Sequence, residues 1–105
     1  MQHPSMIENI EEMRQREGID DVELREAIRG LCVGDCVWLT FLTDGQPFSG
    51  EMIRIAITRI RGRKFQGKLT RGPTSPRLSH LRRGDLVSFT ADHIHSLANG
   101  PTQKP

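Results

Sequence analysis

The hydrophobic positions change their period once along the chain. Met6, Ile10 and Met13 recur at spacings of four and three, which is one stripe of a 3.6-residue helix. Ser5 with Glu8 three residues on has the form of a capping box, and Gly18 suits a left-handed helix end, so a helix is predicted over 4–18. A second is predicted over 21–30, with Asp20 and Glu23 repeating the cap pattern and Leu24, Ala27, Ile28 and Leu31 forming its apolar face. Acids in both first turns complement the helix dipole.

From Val33 onward the period becomes two. Val37, Leu39 and Phe41 alternate with Cys36, Trp38 and Thr40, which predicts a strand, and Thr43 to Pro47 carry turn chemistry. A second strand is predicted over 51–60, with Ile53, Ile55 and Ile57 on one face and Arg54, Ala56 and Thr58 on the other. Arg61, Gly62 and Arg63 form a tight hairpin connection. The third strand, 64–70, points Phe65, Gly67 and Leu69 inward and Lys64, Gln66 and Lys68 outward. Residues 71–84, with two prolines, two glycines and four arginines, read as a long loop. A fourth strand over 86–90, a single helical turn over 92–97 and a frayed tail over 99–105 complete the chain. Gly34-Asp35 recurs as Gly84-Asp85, each time before an apolar strand. Both are expected to turn the chain with Gly at positive φ and with Asp bonded to nearby backbone.

Short strands separated by such turns predict a mainly β domain with N-terminal helices: a small, partly open SH3-like β-barrel of four to five strands. The helical segment is expected over 1–31, the barrel over 32–97 and a flexible tail over 98–105. The 105 residues suffice for one domain without disulfide staples. With mean hydropathy −0.48 and no run of 18 apolar residues, no membrane span is expected. Two cysteines and no signal-like start point to a reducing, cytoplasmic setting.

The formal net charge of +2 averages over a strong asymmetry. Residues 1–53 carry four Lys or Arg against eleven Asp or Glu, whereas residues 54–83 carry ten Lys or Arg and no acid. Helix capping accounts for much of the acidic part; nothing in the predicted fold accounts for the basic part. Its members are Arg54, Arg59, Arg61, Arg63, Lys64, Lys68, Arg71, Arg77, Arg82 and Arg83. Arg54, Lys64 and Lys68 on the outer faces of adjacent strands would form one patch, which the hairpin extends. Two kinds of partner fit it. One is an acidic protein surface, including the acidic helices of this chain or of a second copy. The other is nucleic acid, bound without sequence preference through phosphates. Trp38, pointing away from the Val37 face, is the candidate for base stacking, with burial beneath the helices as the competing reading.

Other chemistry is thinly supported. Cys32 and Cys36 with His93 and His95, or His80, could supply four zinc ligands, but the C-x3-C straddles a helix-to-strand junction and H-x-H splays its rings. No metal and no cofactor are expected. No nucleophile elbow, phosphate-binding loop or metalloprotease motif occurs, and turn chemistry explains Asp35 and Asp85, so an enzyme is not expected.

An ordered series runs from Gly34-Asp35-x-Val37 through Gly50-Glu51-Met52-x-Arg54-Ile55-x-Ile57 and Gly62-x-x-Phe65-x-Gly67-x-Leu69. It ends with Gly72-Pro73 and Gly84-Asp85-x-Val87-x-Phe89 with Ile94. Over residues 31–97 this resembles the YegJ-like family of small bacterial domains of unknown function, related to domains found among toxin-immunity proteins. The resemblance implies a β-rich module with no catalytic residues and an immunity-type or regulatory role. The chain departs from the family pattern in lacking Trp near Arg54 and an Asp-Trp pair at Ser96-Leu97.

Overall fold

Every second side chain along the central strands is buried, and a five-stranded antiparallel sheet follows from that alternation. The structure, a computed structural model, describes residues 7–42 and 50–98. The Ser5 cap, the Thr43–Pro47 turn and the tail over 99–105 lie outside the described residues. The elements are α1 (Ile10–Arg16), α2 (Val22–Arg29), β1 (Cys36–Leu42), β2 (Gly50–Arg61), β3 (Lys64–Leu69), β4 (Leu86–Thr90) and β5 (Ser96–Leu97). Short 3₁₀ turns at Pro76–Leu78 and Ala91–His93 flank β4. Strand order is β4-β3-β2-β1-β5, and the sheet is not closed into a barrel, since β4 and β5 end as opposite edges.

The inner face carries the core. Val37, Leu39 and Phe41 of β1 pack with Ile53, Ile55 and Ile57 of β2, Phe65 and Leu69 of β3, and Val87 and Phe89 of β4. Each fully buried aliphatic of this kind contributes about 1.5–3 kcal/mol by leaving water. Phe65 and Phe89 are register partners whose rings stack with centroids 5.4 Å apart.

β2 changes phase part-way along. Up to Ile57 its odd-numbered residues point inward, yet Arg59 and Arg61 are also odd-numbered and cannot enter an apolar core. The pairing shifts between Ile57, opposite Gly67, and Arg59, opposite Gln66. Thr58 is the extra residue of this β-bulge, and its hydroxyl donates to the Gln66 carbonyl at 3.1 Å. After the bulge Ile60 faces in, opposite Phe65, while Arg59 and Arg61 face out.

The two Gly-Asp turns share one geometry. Asp35 Oδ2 accepts from the Cys32 N–H and Asp85 Oδ2 from the Arg82 N–H, both at 2.9 Å. Gly34 at φ +100° and Gly84 at φ +90° hold the left-handed conformation expected of them. Each turn is then tied to a neighbouring strand by two backbone bonds: Gly34 and Asp35 to Ile57, and Gly84 and Asp85 to Leu69.

Three expectations are corrected. The first helix begins at Ile10, capped by Asn9, whose side chain accepts from the Glu12 N–H at 2.8 Å. Residues 7 and 8 are drawn off instead to the free edge of β1, where Ile7 bridges Phe41 and the Glu8 N–H donates to the Thr40 carbonyl. Asp21, not Asp20, caps α2, accepting from the Leu24 N–H at 3.0 Å. Residues 92–97 are not one helical turn. After the 3₁₀ turn the chain extends as β5, with Leu97 opposite Val37 and Ser96 opposite Trp38. Sheet pairing along β1 overrides local helical preference at both places.

Gly67 is the tightest point of the sheet. A Cβ there would stand 2.5 Å from the Ile55 side chain and 2.8 Å from the Ala56 carbonyl oxygen. Gly67→Ala is expected to cost about 1–3 kcal/mol through overpacking, read as a lowered thermal unfolding midpoint. An unchanged midpoint would mean that β2 and β3 are not this close.

Candidate functional site

The alternation that buries the isoleucines puts the cations on the opposite face. The cross-strand rows of that outer face are Ser96–Trp38–Arg54, Cys36–Ala56–Lys68–Leu86, Arg59–Gln66–Ser88 and Arg61–Lys64–Thr90. Arg54, Arg59, Arg61, Lys64 and Lys68 are all exposed. They occupy two adjacent strands, and none belongs to any of the ion pairs among the described residues. Met52 and Leu86, exposed at 36% and 43%, add apolar area.

Trp38 stands on this outer face, half-buried, in register with Arg54 on one side and Ser96 on the other. It is not part of the main core. α1 packs on the Ala91–His93 turn, and α2 packs against β5, the strand beside Trp38.

Not all the basic residues are available. Arg63 pairs with Asp92 at 2.8 Å, and Arg71 pairs with Glu51 at 2.8 Å while its Nη2 donates to the Met52 carbonyl. Arg82 and Arg83 are exposed in the turn before β4, and Arg77 lies in the 3₁₀ turn of the long loop. Four acids of the helical segment are engaged locally, in Glu12–Arg16, Asp20–Arg25, Glu26–Arg29 and Asp21–Arg14 pairs. No described ion pair joins the acidic helices to the outer face.

Glu51 escaped the sequence reading. It continues the inward phase of Ile53 to the end of β2, and an acid at an inward position requires partners. Besides Arg71 it accepts from the Thr74 N–H at 2.8 Å, the Thr74 hydroxyl at 3.1 Å and the Ser75 N–H at 3.0 Å. This clamps the start of the long loop to the sheet, while Leu78 and Leu81 bury its middle. Burial pushes the Glu51 carboxyl up, but the Thr74 N–H, Arg71, the Ser75 N–H and the Thr74 hydroxyl outweigh it and bring the pKa down to about 2.

The histidines and cysteines whose spacing could suit zinc are not brought together as a metal site among the described residues. His93 Nδ1 accepts from the Thr90 N–H at 3.0 Å, and His95 Nδ1 lies 3.0 Å from the Ser96 hydroxyl. Cys32 is exposed and Cys36 half-buried, and the two are not joined by a disulfide. No group of three or more His, Cys, Asp or Glu among the described residues is placed to hold a metal. Asp35 and Asp85 are tied into separate turns rather than brought together. No helix among the described residues is long and apolar enough to cross a membrane.

No family model, curated protein or solved structure matches this chain.

Two groups make stability acid-sensitive in opposite chemical senses. Burial lowers the His93 pKa, opposed by the Asp92 charge and the Thr90 contact, so the unfolded chain takes up this proton first and stability falls as pH drops below about 6.5. Glu51 keeps its contribution above its ordinary value near 4.5 and loses it as pH falls through about 2. The Glu51 part is worth about 2–3 kcal/mol. Urea unfolding across this range is expected to show a decline below pH 4.5 that Glu51→Gln flattens. An identical decline in Glu51→Gln would show that the clamp is not the source.

Proposed function

We propose that this chain is a non-catalytic binding module whose outer sheet face docks an acidic protein surface. The observation that carries the reading is the placement of Arg54, Arg59, Arg61, Lys64 and Lys68 on one exposed face, outside every described ion pair. Surface cations scattered at random would not share a face with no acid among them. The composition of the patch favours protein over nucleic acid. Trp38 and Met52 set among arginines are residue types enriched in protein interfaces, whereas strand-by-strand base stacking calls for more than a single aromatic. Among the five cations, the guanidinium groups are suited to bidentate carboxylate contacts.

The ordered Gly-Asp and Gly-x-x-Phe-x-Gly series supports placing the chain with the YegJ-like bacterial domains, in a cytoplasmic immunity-type or regulatory role. An N-terminal helical pair on an open, SH3-like sheet of five strands is compatible with that placement. A non-catalytic role is supported by the structural use of Asp35 and Asp85. Nucleic acid is the second reading, favoured by the adjacency of Trp38 and Arg54.

Affinity capture from a bacterial extract, with and without nuclease, compares the intact chain with an Arg54→Glu/Lys68→Glu variant. The expected result is a protein retained after nuclease treatment, released by salt and lost with the variant. Capture indifferent to the charge reversal would overturn the reading. So would tight, salt-sensitive binding of labelled oligonucleotides with no nuclease-resistant partner, since phosphates would then be the target.

A further inference from the structure

On the helix side of the sheet, away from the basic face, a cleft of about 340 Å³ opens between the two helices and the β2–β3 hairpin. Leu24 and Ile28 of α2 line one side and Ile60 and Phe65 of the hairpin the other. Its volume lies at the lower end of the range, about 300–1,000 Å³, in which small-molecule sites occur.

Arg14 gives the cleft its chemistry. It follows Ile10 by one helical turn, so α1 carries it on the buried side, and its side chain is only 14% exposed. Nη2 donates to the His95 carbonyl at 3.2 Å. The nearest carboxylate, Asp21, stands 3.9 Å away, beyond hydrogen-bond distance. A guanidinium has five N–H donors, so most of Arg14's are left without a protein acceptor among the described residues. Among the described residues no buried side-chain nitrogen lacks a partner, so these idle donors meet solvent, and Arg14 lines the cleft. Arg25, Arg29 and Arg63 also line the cleft but are held by Asp20, Glu26 and Asp92 at 2.6–3.1 Å, so Arg14 is the guanidinium there with donors to spare.

We propose that this cleft binds a small organic anion with an apolar body. Arg14 takes the carboxylate or phosphate by charge-assisted hydrogen bonds, and Leu24, Ile28, Ile60 and Phe65 cover the hydrocarbon part. The site neither uses nor requires the outer basic face.

The probe is anilinonaphthalene sulfonate, an anion with an aromatic body, titrated into the full chain and followed by its fluorescence. The proposal expects saturation at one probe per chain, displacement by decanoate and no displacement by decanol. Arg14→Met should weaken binding about tenfold or more, the size of a lost charged hydrogen bond. Ile28→Trp, which fills the cleft, should abolish binding with circular dichroism and unfolding midpoint unchanged. Absence of saturable binding overturns the proposal, as does decanol competing as well as decanoate, or binding that survives Ile28→Trp. If Arg14→Met does not fold, the filled-cleft variant and the decanoate–decanol comparison still decide.

Discussion

The one-residue shift in pairing at Thr58 is the constraint on which the rest of this structure depends. β2 must hold Ile53, Ile55 and Ile57 in the core and keep Arg59 and Arg61 out of it, and strict alternation cannot do both. Burying an unpaired guanidinium would cost several kcal/mol. A bulge that disrupts the ladder locally costs far less. The same shift returns Ile60 to the inner face against Phe65 and leaves three arginines of one strand on the outer face. The buried isoleucines and the outward arginines of β2 are therefore two consequences of a single register.

Around β2 the supporting contacts are local and redundant in kind. Two Gly-Asp turns of the same geometry feed β1 and β4, and each docks by a pair of backbone bonds onto the strand beside it. The loop between β3 and β4, which would otherwise be free, is held at one end by Glu51 and in its middle by Leu78 and Leu81. Glu51 also withdraws Arg71 from the basic surface, and Asp92 withdraws Arg63. The cations left on the sheet face stand at spacings set by strand geometry.

Much of this was legible along the chain, and the failures share a cause. The four longer strands, their inward residues and the positive-φ glycines followed from period-two patterning and from the Gly-Asp pairs. Phe65 was read correctly as inward. The start of α1 and the existence of β5 were not legible, because both are decided by the free edge of β1, which recruits Ile7 at one end and Ser96–Leu97 at the other. Two residues of strand carry no periodicity of their own. Trp38 lies on the face opposite Val37, as its alternation predicts, and is half-buried there. Glu51 and Arg14 each sit one period from a buried isoleucine, and that spacing was the available signal for both. The split between free and paired arginines depends on contacts across 20 residues or more, such as Arg71 with Glu51, and has no local trace.

The account stands or falls on the pairing of β2 with β3, which nuclear Overhauser effects between backbone protons read directly. It predicts cross-strand contacts placing Ile60 opposite Phe65 and Arg59 opposite Gln66 on the hairpin side, and Ile57 opposite Gly67 and Ile55 opposite Leu69 beyond it. An unbroken ladder, with Thr58 opposite Gln66 or with Ile57 opposite Lys68, would contradict it. In that case Arg59 and Arg61 would share a face with Ile53, Ile55 and Ile57, and only Arg54, Lys64 and Lys68 would be left on the outer face.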